Sequence, residues 1–287
     1  MSGRLVIYII GVIWTAVAAR AQVTYQQSDS VRICQLLQQK TGAADPVLSM
    51  ARQFHGIPYV AHTLEVNDDE RLVVNTRQLD CTTLVETVVA LTLCRQQGKT
   101  RWADYLNQLQ QLRYRQGKLQ GYDSRLHYFS DWIVDKQQMQ LVEEVQQPNP
   151  PFTALQRLDI NYMSTHPQVY KALKASPQLV ERIRIQETAL TGRTFRYIPK
   201  QRTGNNRLMR KAVRDGDIIA ITCNKRGLDI AHLGFAVWQK DGLHLLNASQ
   251  LHKKVVTEPM TLYQYLRRHP SHTGIRVIRI KEYNNKK

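Results

Sequence analysis

Cysteine is scarce in this chain of 287 residues, and its four copies follow no metal-binding spacing. Cys34, Cys81, Cys94 and Cys223 form no C-x-x-C pair, so the sequence does not support a structural zinc site. Four cysteines are also too few for the disulfide framework typical of small secreted domains. We therefore expect no bound metal and no cofactor, and each thiol needs its own explanation.

Long hydrophobic runs are absent except near the N-terminus, where Leu5 to Ala19 carries no charge. Arg4 precedes this run, and Ala19-Arg20-Ala21 forms an A-x-A cleavage pattern ahead of Gln22, so residues 1–21 resemble a secretory signal peptide. The alternative is a membrane anchor, but the run is shorter than the roughly 20 apolar residues of a spanning helix. We expect the mature chain, residues 22–287, to be periplasmic or otherwise exported, without stable insertion in a membrane.

Acidic residues are few: 23 Asp and Glu stand against 40 Lys and Arg, and the formal net charge is +17. Removal of residues 1–21 would lower this charge by two, because that segment holds Arg4 and Arg20 and no acidic residue. Such a charge attracts anions, either nucleic acid or an acidic, carboxylate-bearing component of the cell wall. Export favours the wall component, and no basic motif interleaved with aromatics indicates nucleic acid.

The rest of the chain has the pattern of a single α+β domain over residues 22–287, without internal repeats. Apolar residues at helical intervals predict a helical first part, and short apolar runs between turns predict an antiparallel sheet from Phe195 onward. The helices are expected over 28–55 in two pieces, 82–95, 101–115, 152–174 and 177–190. The strands are expected near 71–74, 218–221, 233–238, 243–247, 255–256 and 275–280, with irregular structure and some strand over 119–147.

Cys81 stands where a helix begins. Asp80 is a favourable N-cap residue, and the segment Thr82 to Arg95 is apolar almost throughout, which predicts a buried core helix. A thiol in the first helical turn lies at the positive end of the helix dipole, which lowers its pKa and favours the reactive thiolate. Cys81 is therefore a candidate nucleophile, with a packed or disulfide-bonded cysteine as the alternative. Cys94, deeper in the same helix, is expected to be packed.

A thiol nucleophile needs a base and a residue that orients the base. His232 lies near the start of the apolar segment Ala231 to Val237, and Asp241-Gly242 predicts a turn into a strand that reaches Asn247. Neighbouring antiparallel strands bring such side chains together, so Asn247 is expected to hold the imidazole of His232. The alternatives are a buried, hydrogen-bonded strand histidine and an ordinary turn asparagine.

Several segments, taken in chain order, resemble the NlpC-type papain-like cysteine peptidases, which cut bacterial peptidoglycan. The short segments are Gly56-Ile57-Pro58-Tyr59, Asp80-Cys81-Thr82, His232-Leu233-Gly234 and Asn247-Ala248-Ser249. Longer segments resemble one branch, described as N-acetylmuramoyl-L-alanine amidase-like, and these are Arg113 to Gly117, Ser124 to Trp132 and Gly227 to His232. Together they extend over essentially the whole mature chain.

The resemblance implies a papain-like fold in which Cys81 is the nucleophile at a helix N-terminus, packed on an antiparallel sheet or partial barrel. His232 would be the base and Asn247 the orienting residue. The implied reaction is hydrolysis of the amide between the lactyl group of muramic acid and L-Ala in muropeptides, including anhydromuropeptides. Three positions depart from the general pattern: Thr82-Thr83 replaces Ser-Gly, Asn247 replaces the usual His, and Ala61 to Glu65 replaces a Gly-Gly. The first departure disfavours the common endopeptidase specificity, while Cys-His-Asn is the arrangement of papain.

Substrate contacts are expected mainly between Arg113 and Trp132. Arginine suits bidentate pairing with the carboxylates of a stem peptide, and aromatic rings can stack on sugar. The expected residues are Arg113, Arg115, Arg125 and His127 for carboxylates, and Tyr114, Tyr128 and Trp132 for sugar. The resemblance adds Tyr59 and Asp80 at the site, and Thr82 and Asp229 are also expected to contact the substrate. Glu65 and Glu86 are candidates for positions behind them, with a solvent-facing Glu86 as the alternative. The alternative is a solvated basic face whose aromatic residues belong to the core.

Two other functions stay open from the sequence. The same fold could cut a bond inside the stem peptide as an endopeptidase, and a non-catalytic, basic wall-binding protein would not need Cys81 for its activity. For Cys34 and Cys223, two free thiols and a disulfide are both compatible with an oxidising compartment.

The signal-peptide interpretation predicts where the mature chain begins. Exported protein should have Gln22 as its N-terminus, measured by intact mass and peptide mapping, and Ala21→Trp should block the cleavage because the A-x-A pattern requires small side chains. An exported protein that retains the segment Leu5 to Ala19 would instead establish the membrane anchor.

Overall fold

The computed structural model describes residues 23–39, 45–147 and 149–283. In this part of the chain helices predominate up to residue 190 and an antiparallel sheet follows, so the predicted α+β class is confirmed. The predicted signal peptide lies outside the described residues. Within them, no helix combines the length and the apolar composition that a membrane span requires.

Ten α-helices are described. They are α1 (Gln27–Gln38), α2 (Pro46–Arg52), α3 (Cys81–Gln96), α4 (Trp102–Arg113), α5 (Phe129–Gln138), α6 (Tyr162–Thr165), α7 (Lys171–Lys174), α8 (Pro177–Leu190), α9 (Arg207–Ala212) and α10 (Leu262–Arg268). The helices predicted near 82–95, 101–115 and 177–190 are confirmed as α3, α4 and α8, and the two-piece segment near 28–55 as α1 and α2.

Ten strands are described, and eight of them form one sheet. They are β1 (Val23–Thr24), β2 (Leu72–Val73), β3 (Val142–Val145), β4 (Ala154–Arg157), β5 (Thr194–Pro199), β6 (Ile218–Cys223), β7 (Ile230–Trp238), β8 (Leu243–Ser249), β9 (Lys254–Thr257) and β10 (His272–Ile280). The order in the large sheet is β4-β5-β10-β6-β7-β8-β9, with β3 also paired to β10, and all of these pairs are antiparallel. β1 and β2 form a separate parallel pair.

Helix α3 is buried around its whole circumference. Leu84, Val88 and Leu91 have no exposed surface, and the main core packs them with sheet residues that include Phe235 and Leu246. Burying each such side chain contributes roughly 1.5–3 kcal/mol. A second core on the sheet contains residues of α9 and α10. The sheet therefore lies between α3 and the C-terminal helices, and the first residue of α3 is held against it.

Helix α5 lies within residues 119–147, which were predicted to be irregular with some strand. The prediction is wrong for the helix, whereas the strand is found as β3. Phe129, Trp132 and Ile133 are buried at helical spacing, and the next position of this face, Lys136, is fully buried as well. The Lys136 ammonium pairs with the Asp135 carboxylate (2.6 Å), which compensates its charge inside the protein, and it also donates to the backbone oxygen of Tyr114 (2.8 Å). A lysine on the buried face interrupts the apolar pattern, so periodicity alone did not identify this helix.

The prediction of a helix over 152–174 is wrong for the first part of this segment, where β4 is found. β4 pairs with β5, so that Ala154 lies opposite Tyr197. That partner is about 40 residues away in sequence, and local propensity carries no information about such pairing. Helix α10 was not predicted either. The strands predicted from residue 218 onward are confirmed as β6 to β10.

Glu86 and Arg113 form a buried ion pair that joins α3 to α4. The Arg113 guanidinium donates to Glu86 Oε2 (2.7 Å) and to the backbone oxygen of Val73 (2.5 Å), and both side chains are 3% exposed. An unpaired charge at this depth is strongly destabilising. The pair therefore contributes to the position of the helix that begins with Cys81.

Glu86→Ala should lower the free energy of unfolding by about 3–5 kcal/mol, because it leaves the Arg113 guanidinium buried without its counter-charge. Urea denaturation measures the effect. The double variant Glu86→Met with Arg113→Met should recover most of the loss, since no charge then remains unpaired. Arg184→Ala, which removes an exposed ion pair with Glu181, is the control and should leave the midpoint within error. An unchanged midpoint for Glu86→Ala would contradict a structural role of the pair.

Candidate functional site

A cleft of about 190 Å³ lies where the start of α3 meets the start of β7. Its lining is Cys81, Thr82, His127, Tyr128, Phe129, Met163, Tyr170, Leu228, Asp229, Ile230, Ala231, His232 and Leu233. Two larger cavities in the described residues, of about 340 and 370 Å³, contain neither cysteine nor histidine. Among these cavities, the small cleft is therefore the place where a thiol and imidazole rings occur together.

Asp80 and Thr83 define the end of α3 at which Cys81 lies. Asp80 accepts hydrogen bonds from the backbone nitrogen and the hydroxyl of Thr83 (both 2.8 Å), and the Asp80 nitrogen donates to the Thr83 hydroxyl (2.9 Å). This reciprocal capping box satisfies the backbone N–H groups of Thr83 and of Asp80 itself. Thr83, one of the two threonines that replace the Ser-Gly of the general pattern, thus helps to define where α3 begins.

His232 and Asn247 meet across the β7–β8 hairpin. Phe235 pairs with Leu246, and continuing this antiparallel register by one residue places Asn247 opposite Gly234. The Asn247 side chain therefore lies on the same face of the sheet as the His232 side chain. The distance between His232 Nε2 and Asn247 Oδ1 is 2.9 Å. A Cβ at Gly234 would lie 2.7 Å from the backbone oxygen of Leu246, so only glycine fits where the two strands approach.

Behind Asn247 lies a buried carboxylate that was not among the predicted site residues. Asn247 Nδ2 donates to Glu258 Oε1 (3.0 Å) and to the backbone oxygen of Leu245 (3.3 Å). The other carboxylate oxygen of Glu258 accepts from His252 Nε2 (3.1 Å). Asn247 and Glu258 are each 1% exposed. A chain of hydrogen bonds thus connects His232, Asn247, Glu258 and His252.

The electrostatics of the cleft keep Cys81 and His232 neutral. Burial, followed by the charge of Asp80, raises the pKa of Cys81 to about 12, although hydrogen bonds from Leu233 and Thr82 act in the opposite direction. Burial lowers the pKa of His232 below its usual value, against the effects of Asn247, Glu258 and Asp80. The expectation that the helix start lowers the thiol pKa is therefore wrong for the unliganded protein. An uncharged imidazole is the form that can accept the thiol proton.

Tyr59 lies in the same electrostatic environment. It follows the Gly-Ile-Pro segment, and its backbone nitrogen donates to the oxygen of Lys253 (2.9 Å), next to β9. Burial raises the pKa of Tyr59, and the neighbouring Cys81 and Asp80 raise it further. Tyr59 is therefore near the thiol, although it is not one of the residues that line the cleft.

His127, Tyr128 and Asp229 line the cleft, each held by a neighbour. Burial, followed by Arg125, lowers the pKa of His127 to about 3, so this histidine is neutral and cannot pair with a carboxylate as a cation. The Tyr128 hydroxyl donates to Glu187 (2.6 Å), and Asp229 Oδ2 accepts from the backbone nitrogen of Ser130 (2.6 Å). The ring of Tyr128 and the second oxygen of Asp229 remain for a ligand.

Arg113, Tyr114 and Arg125 were predicted to bind substrate, but the structure does not bring them into the cleft lining. Arg113 is paired with Glu86, and the Tyr114 hydroxyl donates to Glu70 (2.8 Å). Arg125 pairs with Glu65 and lies 3.6 Å from Glu70. These arginines compensate buried carboxylates, so they are not available for substrate carboxylates.

The remaining predictions in this segment have a similar outcome. Arg115 pairs with Asp131 (2.5 Å) at another cavity, and Trp132 is buried in the core. Conversely, Met163 and Tyr170 line the cleft but come from a segment without any motif.

All four cysteines have free thiols, so the structure contains neither a disulfide at Cys81 nor one between Cys34 and Cys223. Within the described residues, no group of His, Cys, Asp or Glu could hold a metal ion.

The sequence model of the N-acetylmuramoyl-L-alanine amidase-like family matches residues 49–275 of this chain. A solved structure named an N-acetylmuramoyl-L-alanine amidase from Bacteroides uniformis is 43% identical, with a TM-score of 0.77, and the match covers 82% of this chain and 97% of that one. A Bacteroides fragilis structure, provisionally named a xylanase, is 45% identical with a TM-score of 0.76, over 81% and 100% of the two chains. A Legionella pneumophila protein at 23% identity shows a likeness of fold alone, with a TM-score of 0.66 over 88% and 94%. Among the curated proteins none matches.

The raised pKa of Cys81 predicts slow alkylation at neutral pH. Iodoacetamide attacks the thiolate, which is scarce when the pKa is about 12, so modification of Cys81 should accelerate only well above pH 8. Peptide mapping by mass spectrometry follows each cysteine, with the free peptide around Cys81 as the reference thiol. Rapid alkylation of Cys81 at pH 6–7 would show a preformed thiolate and contradict the neutral pair.

Proposed function

The chain belongs to the N-acetylmuramoyl-L-alanine amidase-like family, and we propose that it is a cysteine amidase that hydrolyses the lactyl–L-Ala amide of muropeptides. The observation that carries the mechanism is the hydrogen bond between His232 and Asn247 at a cleft shared with Cys81. The family and the Bacteroides uniformis structures named as amidases support the reaction class. The arrangement is that of a Cys-His-Asn site in which a thiol, a base and an orienting amide cooperate.

The first chemical step transfers one proton and forms one bond. Asn247 occupies Nε2 of His232, so Nδ1 is the nitrogen that accepts the proton from the Cys81 thiol. As the proton moves, the sulfur attacks the lactyl carbonyl carbon, and the carbonyl oxygen becomes an oxyanion. Free N–H groups at the start of α3, including that of Cys81, are placed to stabilise this oxyanion. Coupling proton transfer to attack suits a thiol with a raised pKa, because no resting thiolate is required.

The second half of the reaction releases two products. The oxyanion collapses, the C–N bond breaks, and His232 donates its proton to the leaving amine of L-Ala, so a thioester remains on Cys81. Water then attacks the thioester with His232 as the base, which frees the muramoyl carboxylic acid and restores the thiol. Each proton that His232 accepts is returned within the cycle, so no cofactor is required.

We assign substrate recognition to side chains that line the cleft. The rings of Tyr128, Phe129 and Tyr170 offer surfaces for a sugar, and the Asp229 carboxylate can accept an N–H group of the stem peptide. A glycosidase has less support, because it generally requires two carboxylates flanking the bond, at about 5–10 Å. Asp229 is the one carboxylate among the described residues that line this cleft.

The proposal includes a papain-like arrangement of the site and an exported enzyme. As in that arrangement, the candidate nucleophile begins a buried helix that packs on an antiparallel sheet carrying the base. The three-part pattern of residues 1–21 supports action in the periplasm or otherwise outside the cytoplasm, where peptidoglycan fragments occur. The positive net charge favours a carboxylate-bearing substrate there.

The test is mass spectrometry of purified muropeptides incubated with wild type, Cys81→Ala and Asn247→Ala. Wild type should release intact stem peptide and a muramoyl sugar, and Cys81→Ala should release neither. Asn247→Ala should retain a residual rate, lower by about 100-fold or more, because the base remains but is no longer oriented. Cys34→Ser is the matched control, since Cys34 is a free thiol outside the cleft lining, and it should keep the wild-type rate.

Other outcomes would change the conclusion in defined ways. Cleavage inside the stem peptide, lost in Cys81→Ala, would keep the cysteine mechanism and establish an endopeptidase. Equal activity of Cys81→Ala and wild type would exclude the cysteine mechanism. Binding of wall material without cleavage by wild type would establish the non-catalytic basic protein instead.

A further inference from the structure

We infer that Glu258 is a positioning residue of the active site, which sets the tautomer of His232 through Asn247 and supplies the negative charge that an asparagine lacks. The inference rests on the proposed function of Cys81, His232 and Asn247. Glu258 follows β9 directly and reaches the triad from behind, out of contact with the cleft. In a Ser-His-Asp site the third residue both orients the histidine and stabilises its charged form. Here the geometry divides these two tasks between two residues.

The orientation of the Asn247 amide is determined by its two acceptors. Its NH₂ group has two hydrogens, and the structure offers two acceptors for them, Glu258 Oε1 at 3.0 Å and the backbone oxygen of Leu245 at 3.3 Å. A flipped amide would place its oxygen against both of these oxygens, with no donor between them. Because the site is buried, water does not relieve such repulsion, and the flipped form is strongly disfavoured.

The amide orientation in turn determines the tautomer of His232. Asn247 Oδ1 can only accept a hydrogen bond, so Nε2 of His232 must carry the hydrogen. In a neutral imidazole the other nitrogen, Nδ1, then holds the free lone pair. This is the tautomer that can accept the thiol proton of Cys81. A carboxylate two hydrogen bonds away thus selects the reactive form of the base.

The negative charge of Glu258 performs the second task, which is to stabilise the charged form of His232. When His232 accepts the thiol proton it becomes a cation in a buried site, and Asn247 is neutral. The Glu258 carboxylate is the negative charge behind Asn247, and its attraction raises the pKa of His232 against burial. In a poorly solvated environment this attraction is weakly screened. Stabilisation of the imidazolium lowers the barrier of the first step without any contact with substrate.

Glu258 is itself held on several sides. His252 Nε2 donates to its second oxygen (3.1 Å), and His244 Nδ1 donates to its backbone oxygen (2.8 Å). Burial raises the pKa of Tyr265 in α10 to about 12, and the nearby charge of Glu258 contributes to this rise. His252 is partly exposed, whereas the Glu258 side chain has no exposed surface. The carboxylate therefore has fixed partners for both oxygens, as a group that positions another residue requires.

The experiment compares Glu258→Gln and Glu258→Met with wild type. Glutamine keeps an oxygen for Asn247 but removes the charge, whereas methionine has a similar length and removes both. Asp217→Asn is the matched control, because Asp217 is a buried carboxylate paired with Arg279 (2.7 Å) outside the cleft lining. For each variant the readouts are kcat, KM, the acid limb of the pH–rate profile on muropeptides, and the tautomer of His232 by ¹⁵N NMR without substrate. Circular dichroism and the melting temperature verify folding.

Glu258→Gln should lower kcat by about tenfold with KM unchanged, and Glu258→Met by about 100-fold, the range that histidine-orienting partners typically contribute. The acid limb of Glu258→Gln should move to lower pH, because the pKa of His232 falls when the charge is removed. NMR should show Nε2–H in wild type and Glu258→Gln and a mixture of tautomers in Glu258→Met. Asp217→Asn should lose stability but keep wild-type kcat and tautomer.

A folded Glu258→Met protein with wild-type kcat and pure Nε2–H tautomer would overturn the inference. A change in KM alone would overturn it as well, since it would indicate a role in the shape of the cleft. If wild type cleaves no muropeptide, the proposed function fails, but the tautomer measurement still decides the role of Glu258. If Glu258→Met does not fold, Glu258→Gln decides through the shift of its acid limb.

Discussion

The burial of helix α3 is the constraint on which the site depends. This helix is buried on every side, and its position is determined by the other helices and the sheet that surround it. Its N-terminus is defined by the capping box of Asp80 and Thr83, so the residue that follows the cap is held at the edge of the core. Cys81 occupies this position, facing the start of β7. Neither the thiol nor the base can move far without disturbing the packing that stabilises the whole domain.

The electrostatic organisation follows from the shortage of acidic residues. Several of the 23 acidic side chains lie inside the protein, where each has a defined partner. Glu86 pairs with Arg113, Asp217 with Arg279, and Glu258 with Asn247 and His252. Carboxylates used in this way are removed from the surface, so the excess of lysine and arginine faces solvent. The positive net charge in turn favours the attraction of anions.

The core of the site could be predicted from the sequence because its signals are local. Asp80, Cys81 and the apolar run after them identify a capped, buried helix, and the hairpin around Asp241-Gly242 places Asn247 next to His232. Of the residues predicted to bind substrate, the cleft lining contains Thr82, His127, Tyr128 and Asp229 but not Arg113, Tyr114 or Arg125. Arg113 and Arg125 satisfy a motif, but a motif does not reveal whether a guanidinium faces a ligand or a buried carboxylate.

By itself, the sequence determined the α+β order, the start of α3 at Cys81, and the strand pair that joins His232 to Asn247. These features depend on capping, periodicity and a short turn, which act between residues close in the chain. Only the tertiary structure decided that Met163 and Tyr170 line the cleft, that the Cys81 thiol has a raised pKa, and that Glu258 lies behind Asn247. Burial and charge at a site arise from segments far apart in sequence, and their sum exists only after the chain has packed.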